Sequence, residues 1–294
     1  MLQGLLTALV TPMDADGDVD YTSFTNLINY QIAHHAHGLV VLGSTGEAAT
    51  LNLNEKLKII DTAIHVTQKR VPIIVGVGQT STSDAVAWAE ELDNIDGVDY
   101  LLALTPSYVK ATQAGLYAHF AAISKICKKK PIILYNVPSR TGCDLADSTT
   151  IKLAKEFKNI VGLKDATGDI ARCNYLVKHK PARFKLFSGD DATSISFILS
   201  GGDGAISVTG NVVPQIMSQM IQAALDGHKS SAIKFNNSIL ELHSALFIES
   251  NPIPVKWALY KMKLINSPML RLPLHTLDDS YHEVVTHALQ SIIK

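Results

Sequence analysis

The chain has 294 residues, 47% of them hydrophobic and 18% charged, with 26 basic side chains against 27 acidic ones. That apolar fraction supplies a sizeable core and excludes whole-chain disorder, and a net charge of −1 leaves no electrostatic footprint for nucleic acid. No run reaches the ~18–20 uninterrupted apolar residues of a membrane span, and the apolar residues 1–11 carry neither a basic n-region nor a small-residue cleavage site.

In chain order, the first apolar run covers residues 5–11 and ends in Thr11-Pro12-Met13, with helical apolar spacing following at 24–32. The alternation then repeats with a run at 38–42 and a helix at 57–66. Next come 72–76 and 85–92, the latter opened by Ser83-Asp84 as capping side chains, then 100–104 and 116–126. Further runs lie at 131–135, 160–164, 184–188 and 204–208. Near-continuous apolar runs of this length suit parallel strands covered on both faces. Eight of them interleaved with helices predict an α/β fold, the (β/α)8 TIM barrel, which typically takes roughly 250 residues. A doubly wound open sheet would place a glycine-rich phosphate loop after its first strand, and none follows residue 11. Beyond 208 only helical patterns remain, at 214–225, 231–247, 254–264 and 278–293. The expected organisation is a barrel over 1–225 and a C-terminal helical extension over 226–294, packed on it without a linker.

A barrel of this kind carries its active site at the C-terminal ends of the strands, so the residues after each run are the candidates. The second run leads into Gly43-Ser44-Thr45-Gly46-Glu47, the fourth into Thr105-Pro106-Ser107-Tyr108, and the fifth into Tyr135-Asn136-Val137-Pro138-Ser139-Arg140-Thr141-Gly142. The sixth ends in Lys164-Asp165 and the seventh in Ser188-Gly189-Asp190-Asp191. Lys164 is the outlier. An ammonium at the end of an interior apolar run is desolvated unless paired, and desolvation lowers a lysine's pKa toward that of an amine nucleophile. The alternative is a rim lysine paired with Asp165 or another carboxylate. The loop at 43–47 offers hydroxyls and open N–H groups for a carboxylate or phosphate, or is simply a tight turn. Gly76-Val77-Gly78 lacks a third glycine and reads as backbone crowding near the barrel mouth. Arg140 could hold a carboxylate bidentately or form a rim salt bridge. Tyr135 and Tyr108 supply phenols that carry protons or simply pack. The cluster His34, His35 and His37 falls at a helix end without metal-ligand spacing and reads as helix-end solvation. Cys127, Cys143 and Cys173, with no C-x-x-C pair, argue against disulfides and structural zinc and point to a reducing cytoplasm, the thiols acting as small apolar side chains.

Taken together, the loop at 43–47, residues 135–145, residues 164–168 and the motif NPIPVKWA at 251–258 resemble the dihydrodipicolinate synthases of the pyruvate-dependent class I aldolase superfamily, from about residue 4 to the last helix. The resemblance implies that Lys164 forms a Schiff base with pyruvate and that Tyr135 is the acid/base group. Tyr135 would be linked through Ser44 to a Tyr108 reaching in from a neighbouring subunit. It further implies that Thr45 holds the pyruvate carboxylate, that the Ile206 carbonyl contacts the keto acid, and that Arg140 steers the carboxylate of L-aspartate 4-semialdehyde beside Gly189 at the cleft wall. No metal or organic cofactor is implied. The partner implied is a second copy, giving at least a homodimer and, as is commonest in the family, a homotetramer built as a dimer of dimers.

Two positions depart from the family pattern. Ser44 stands where threonine is usual, keeping the hydroxyl but losing a methyl that restricts χ1. Where lysine-inhibited members carry two histidines, an asparagine, a glutamate and a tyrosine, this chain has Leu53, Lys56, Thr80, Asp84 and Ser107, so weak or absent inhibition by lysine is expected. Rival readings are a sugar-acid aldolase such as N-acetylneuraminate lyase, a non-catalytic barrel homologue, and a phosphate-binding barrel. Arg140 speaks against the first and the joint presence of Lys164, Tyr135, Tyr108, Thr45 and Arg140 against the second. Two carboxylates at Asp190 and Asp191 speak against the third.

Overall fold

The structure, a computed structural model, describes residues 2–292. Eight parallel strands close on themselves in sequential order: β1 (Gly4–Ala8), β2 (Gly38–Val41), β3 (Ile73–Val77), β4 (Tyr100–Leu104), β5 (Ile132–Asn136), β6 (Ile160–Asp165), β7 (Lys185–Ser188) and β8 (Gly204–Ser207), with β8 pairing back onto β1. All eight expected strands are present, and the barrel is the (β/α)8 fold. The side-chain period of two sorts each strand. Leu6, Val40, Ile74, Leu102, Ile133, Tyr135, Phe187 and Ile206 fill the barrel interior. Their neighbours Leu5, Leu39, Ile73, Leu101, Leu134 and Leu186 pack outward under the helices.

The outer layer begins with α1 (Tyr21–Ala33), α2 (Leu53–Thr67), α3 (Thr82–Asp93) and α4 (Gln113–Ile126). It continues through α5 (Pro138–Thr141), α6 (Asp147–Glu156), α7 (Ile170–His179), α8 (Ser194–Leu199) and α9 (Pro214–Leu225). Local chemistry sets the starts. Asn52 and Glu55 form a reciprocal capping box on α2, and Thr112 caps α4. The cap of α3 is Ser81, whose side chain accepts from the Asp84 N–H; Ser83 and Asp84, expected to cap, lie inside the first turn.

Four helices follow the barrel: α10 (Lys229–Asn237), α11 (Leu240–Ala245), α12 (Ile253–Lys261) and α13 (His282–Gln290). The single helix expected over 231–247 is interrupted between α10 and α11. Asn236, Asn237 and Ser238 bring side chains that compete for backbone groups, and the Ser238 hydroxyl donates to the Phe235 carbonyl at 2.6 Å. The helix expected at 254–264 stops at Lys261, with Lys263 in the left-handed region at φ +59°. The one expected at 278–293 starts as a 3-10 turn over Asp279–Tyr281, and its last residue lies outside the described residues. Leu242, Val255, Trp257 and Leu289 from these helices share one continuous core with the barrel's outer layer. Among the described residues no helix is long and apolar enough to cross a membrane.

Candidate active site

Parity along β6 decides which way its two charged residues face. Lys164 sits in register with Tyr135 on β5 and Phe187 on β7, and its Nζ lies 4.2 Å from the centre of the Tyr135 ring. Lys164 is 6% exposed and has no carboxylate within ion-pair distance among the described residues. Asp165 is not its counter-ion. That carboxylate faces the helices, accepting from Thr167 Oγ1 at 2.6 Å and Asn136 Nδ2 at 3.2 Å and lying 3.6 Å from Arg172 Nε. Burial pushes the Asp165 pKa up, and the Arg172 charge pulls against that rise. The rim-pair alternative for Lys164 therefore fails. With no carboxylate beside it, the Lys164 amine has the face of the Tyr135 ring as its nearest electrostatic partner, an interaction of modest strength.

Gly189 forms the wall beside this amine. A methyl group placed there would come within 2.8 Å of Lys164 Cε and 2.8 Å of Ala166 Cβ. Gly189→Ala is thus expected to lower kcat by about 10²-fold, the scale of a misplaced reacting group, and to cost about 1–3 kcal/mol of stability, because Ala166 Cβ has no rotamer by which to move away. Steady-state kinetics beside a thermal melt checks this, and an unaltered kcat would mean that the Lys164 arm has room the structure does not show.

The loop after β2 is first of all a turn. Gly46 N–H and Ala48 N–H both donate to the Gly43 carbonyl, and Glu47 N–H donates to the Ser44 carbonyl. An open nest across the whole loop is therefore ruled out; only its Ser44-Thr45 end is left to offer backbone N–H groups to a ligand. Glu47 stands in the left-handed region at φ +53° and is held there from the extension. Its carboxylate accepts from Lys256 Nζ at 2.8 Å, with both side chains fully buried, and from the Arg271 backbone N–H at 3.2 Å. Burial draws the Lys256 ammonium below the ordinary lysine range, with the Glu47 charge opposing. Gly76 meets the sequence expectation, since a side chain there would run into the Leu42 carbonyl.

Ser44, Tyr135 and Arg140 line one cavity of about 530 Å3 at the C-terminal ends of the strands, together with Gly78, Lys56 and Asn251. Thr45 is buried beside it, and its Oγ1 accepts from Asn251 Nδ2 at 3.0 Å. Arg140, on α5, forms no salt bridge among the described residues; its Nη2 donates to the Asn251 carbonyl at 2.7 Å. Ile206 lies on β8 in the barrel interior, paired with Leu6. Ser44 and Tyr135 share the cavity wall without a direct hydrogen bond among the described residues. Tyr108 is not brought to the cavity by its own chain; it stands 91% exposed at φ +71°.

His34 ends α1 and bonds the Tyr30 carbonyl at 2.8 Å, but His37 departs from the helix-end solvation expected: it packs on β1, its Nδ1 accepts from the Leu5 N–H at 3.2 Å, and burial lowers its pKa. Burial pushes the Cys127 and Cys173 thiols up to about 12. The phosphate-cup alternative is closed off by an unexpected route. Asp191 Oδ2 accepts from the N–H groups of Val208 at 2.9 Å and Thr209 at 2.8 Å, occupying the amides after β8 that a phosphate would need. Asn251, Lys256 and Glu47 are the site-forming residues that sequence reasoning left without a role. The signal for Asn251 and Lys256 was the run NPIPVKWA, which places an asparagine and a lysine five residues apart in an otherwise apolar stretch, and Glu47 stood in the loop at 43–47.

A closed parallel barrel with a buried amine, a phenol and a guanidinium gathered at its C-terminal mouth is the architecture of a (β/α)8-barrel enzyme. Residues 1–292 match the model of the dihydrodipicolinate synthetase family. A 4-hydroxy-tetrahydrodipicolinate synthase of Buchnera aphidicola subsp. Schizaphis graminum is 44% identical over 290 residues, 99% of this chain and 98% of that protein. The crystal structure of the chloride-inhibited dihydrodipicolinate synthase from Acinetobacter baumannii, complexed with pyruvate, aligns with a TM-score of 0.96 at 44% identity over 100% of both chains. A second solved structure, described as the first monomeric dihydrodipicolinate synthase variant, aligns with a TM-score of 0.95 at 34% identity, covering 99% of this chain and 96% of that one. The chain belongs to the dihydrodipicolinate synthetase family and is an enzyme of the class I aldolase type.

Proposed function

We propose that this enzyme condenses pyruvate with L-aspartate 4-semialdehyde, working in the cytoplasm in lysine and diaminopimelate biosynthesis. The observation that carries this reading is the buried Lys164 amine, unpaired among the described residues and lying over the Tyr135 ring at the mouth of the barrel. Lys164 Nζ attacks the keto carbon of pyruvate, and loss of water gives an imine. The iminium makes the pyruvate methyl acidic enough for Tyr135 to manage its proton, and the resulting enamine attacks the aldehyde carbon of the second substrate. The substrate amine then displaces Lys164 as the ring closes, returning the free enzyme. Thr45 holds the pyruvate carboxylate, the Ile206 carbonyl faces the bound keto acid, Gly189 leaves room at the wall, and Arg140 receives the carboxylate of the aldehyde substrate. In this reading the barrel, 1–225, supplies the chemistry and the extension, 226–294, braces it. Condensation followed through a coupled reductase, with borohydride trapping of a pyruvate adduct on Lys164, tests the reading. Trapping without condensation would mean a different aldehyde, and no adduct would overturn it.

Tyr108 belongs in this scheme as a residue lent to a second copy, giving a homodimer at least and a homotetramer by family habit. A bulky aromatic held 91% exposed at positive φ, next to Val109 at 55% exposed, supports this, because such a conformation persists only where surroundings fix it. Ser44 completes the relay between the two tyrosines. Ser44→Thr is expected to leave activity roughly intact and Ser44→Ala to lose much of it. Equal turnover of the two variants would remove the hydroxyl from the mechanism.

Regulation by free lysine is expected to be weak or absent. Lys56 lines the cavity, Leu53 is 54% exposed, and the hydroxyls of Thr80 and Ser107 bond each other at 3.0 Å, so a cationic amino acid meets a like charge and an apolar side chain. Half-inhibition at sub-millimolar lysine would contradict this.

A further inference from the structure

Two groups that the proposed function assigns to different substrates converge on one residue of the extension. Asn251 Nδ2 donates to Thr45 Oγ1 at 3.0 Å, and the Asn251 carbonyl accepts from Arg140 Nη2 at 2.7 Å. Thr45 follows β2, Arg140 lies on α5 after β5, and Asn251 stands two residues before α12, so three separate segments meet there. Asn251 is itself buried and lines the cavity with Ser44, Tyr135 and Arg140. Its Oδ1 has no hydrogen-bond partner among the described residues. A buried amide with one half engaged and the other unpartnered is held where it is by what it positions rather than by its own satisfaction.

We propose that Asn251 is a positioning residue that sets Thr45 and Arg140 at a fixed separation, so that the carboxylates of pyruvate and of the aldehyde substrate are presented in register. The proposal rests on the carboxylate roles assigned above to Thr45 and Arg140. Asn251 fixes the hydroxyl rotor of Thr45 with its side chain and the guanidinium plane of Arg140 with its backbone. The Lys256–Glu47 ion pair, five residues further along, anchors the same segment to the far end of the Thr45 loop. The motif NPIPVKWA therefore has two inward attachments to one loop, and binding geometry is written partly outside the barrel.

The test is a double-mutant cycle on the full chain, with Asn251→Ala, Thr45→Val and the pair together, read as KM for each substrate, kcat and melting temperature. Removing a hydrogen bond to a group that binds an anion is expected to raise KM for pyruvate about tenfold. The KM for the aldehyde should rise less, because the Asn251 carbonyl persists, and kcat should change less than about threefold. The double variant should be no worse than Thr45→Val alone. A purely structural role would lower the melting temperature while leaving KM and the additivity of the cycle untouched, and that pattern overturns the proposal. Should Asn251→Ala fail to fold, the isosteric Asn251→Asp carries the test. It fills the same space but sets a second negative charge beside the pyruvate carboxylate, so KM for pyruvate should rise more than tenfold. A wild-type KM in that variant overturns the proposal. Borohydride trapping of pyruvate on the wild-type enzyme separates the two levels. No adduct in wild type removes the carboxylate roles and this inference together, whereas an adduct with additive, unshifted variants removes this inference alone.

Discussion

Replacing Lys164 with alanine is expected to lower condensation by on the order of 10⁴-fold or more, the scale on which losing a covalent nucleophile is felt, and to abolish the borohydride-trapped pyruvate adduct. The stability of the variant should change little, because Lys164 has no carboxylate partner among the described residues and its removal leaves no charge unpaired. A large loss of activity beside a small change of stability is what separates a functional group from a structural one. Lys164→Arg sharpens the test, since a guanidinium keeps the charge near the Tyr135 ring but cannot form an imine. If Lys164→Arg retained substantial turnover, Lys164 would be acting through charge alone. If Lys164→Ala still trapped an adduct, another amine would be the nucleophile; Lys256, paired with Glu47 and fully buried, is poorly placed for it.

What could be seen in the sequence follows from how local its physical cause is. Most of the eight strands are runs rich in Val, Ile and Leu bounded by polar or glycine-bearing residues, with β7 (KLFS) and β8 (GAIS) the weakest, and burial on both faces favours that pattern. Lys164 was conspicuous for the same reason, as an ammonium ending a run built for the barrel interior. Which way it faces was not legible beside Asp165, because either residue could have been the inward one; the register with Tyr135 and Phe187 settles it. The loop at 43–47 suggested open amides, yet the turn consumes those of Gly46 and Glu47. The roles of Asp191, Asn251 and Glu47 were out of reach. Asn251 and Thr45 are 206 residues apart, and Lys256 and Glu47 are 209 apart. No period or cap records such a pairing. Tyr108 was legible as a phenol after the fourth strand, but its place beside another subunit came only through family resemblance, and within its own chain it stands 91% exposed.

The largest expected loss of stability comes from the Lys256–Glu47 pair. Lys256→Met leaves Glu47 charged in a site where its side chain is fully buried, with the Arg271 N–H at 3.2 Å and the more distant charge of the Arg271 guanidinium as what remains to offset it. Breaking a buried ion pair from one side costs about 3–5 kcal/mol, which for a chain of this size is a drop of roughly 5–8 °C in melting temperature. The pair is not in itself a large source of stability, because desolvating two charges offsets most of their attraction. The double variant Glu47→Gln/Lys256→Met should accordingly recover more than half of the loss. It removes both charges, keeps an acceptor for the Arg271 N–H, and fills nearly the same volume. Thermal melts of wild type, single and double variants read this directly. A single variant that melts like wild type would mean that water reaches Glu47, and a double variant no better than the single would mean that the ion pair is worth more than its desolvation. Recovery of stability without recovery of KM for pyruvate would carry the further meaning that charge in this pair holds the Thr45 loop in its binding shape, since Glu47 is kept at φ +53° by the two contacts that the variant weakens.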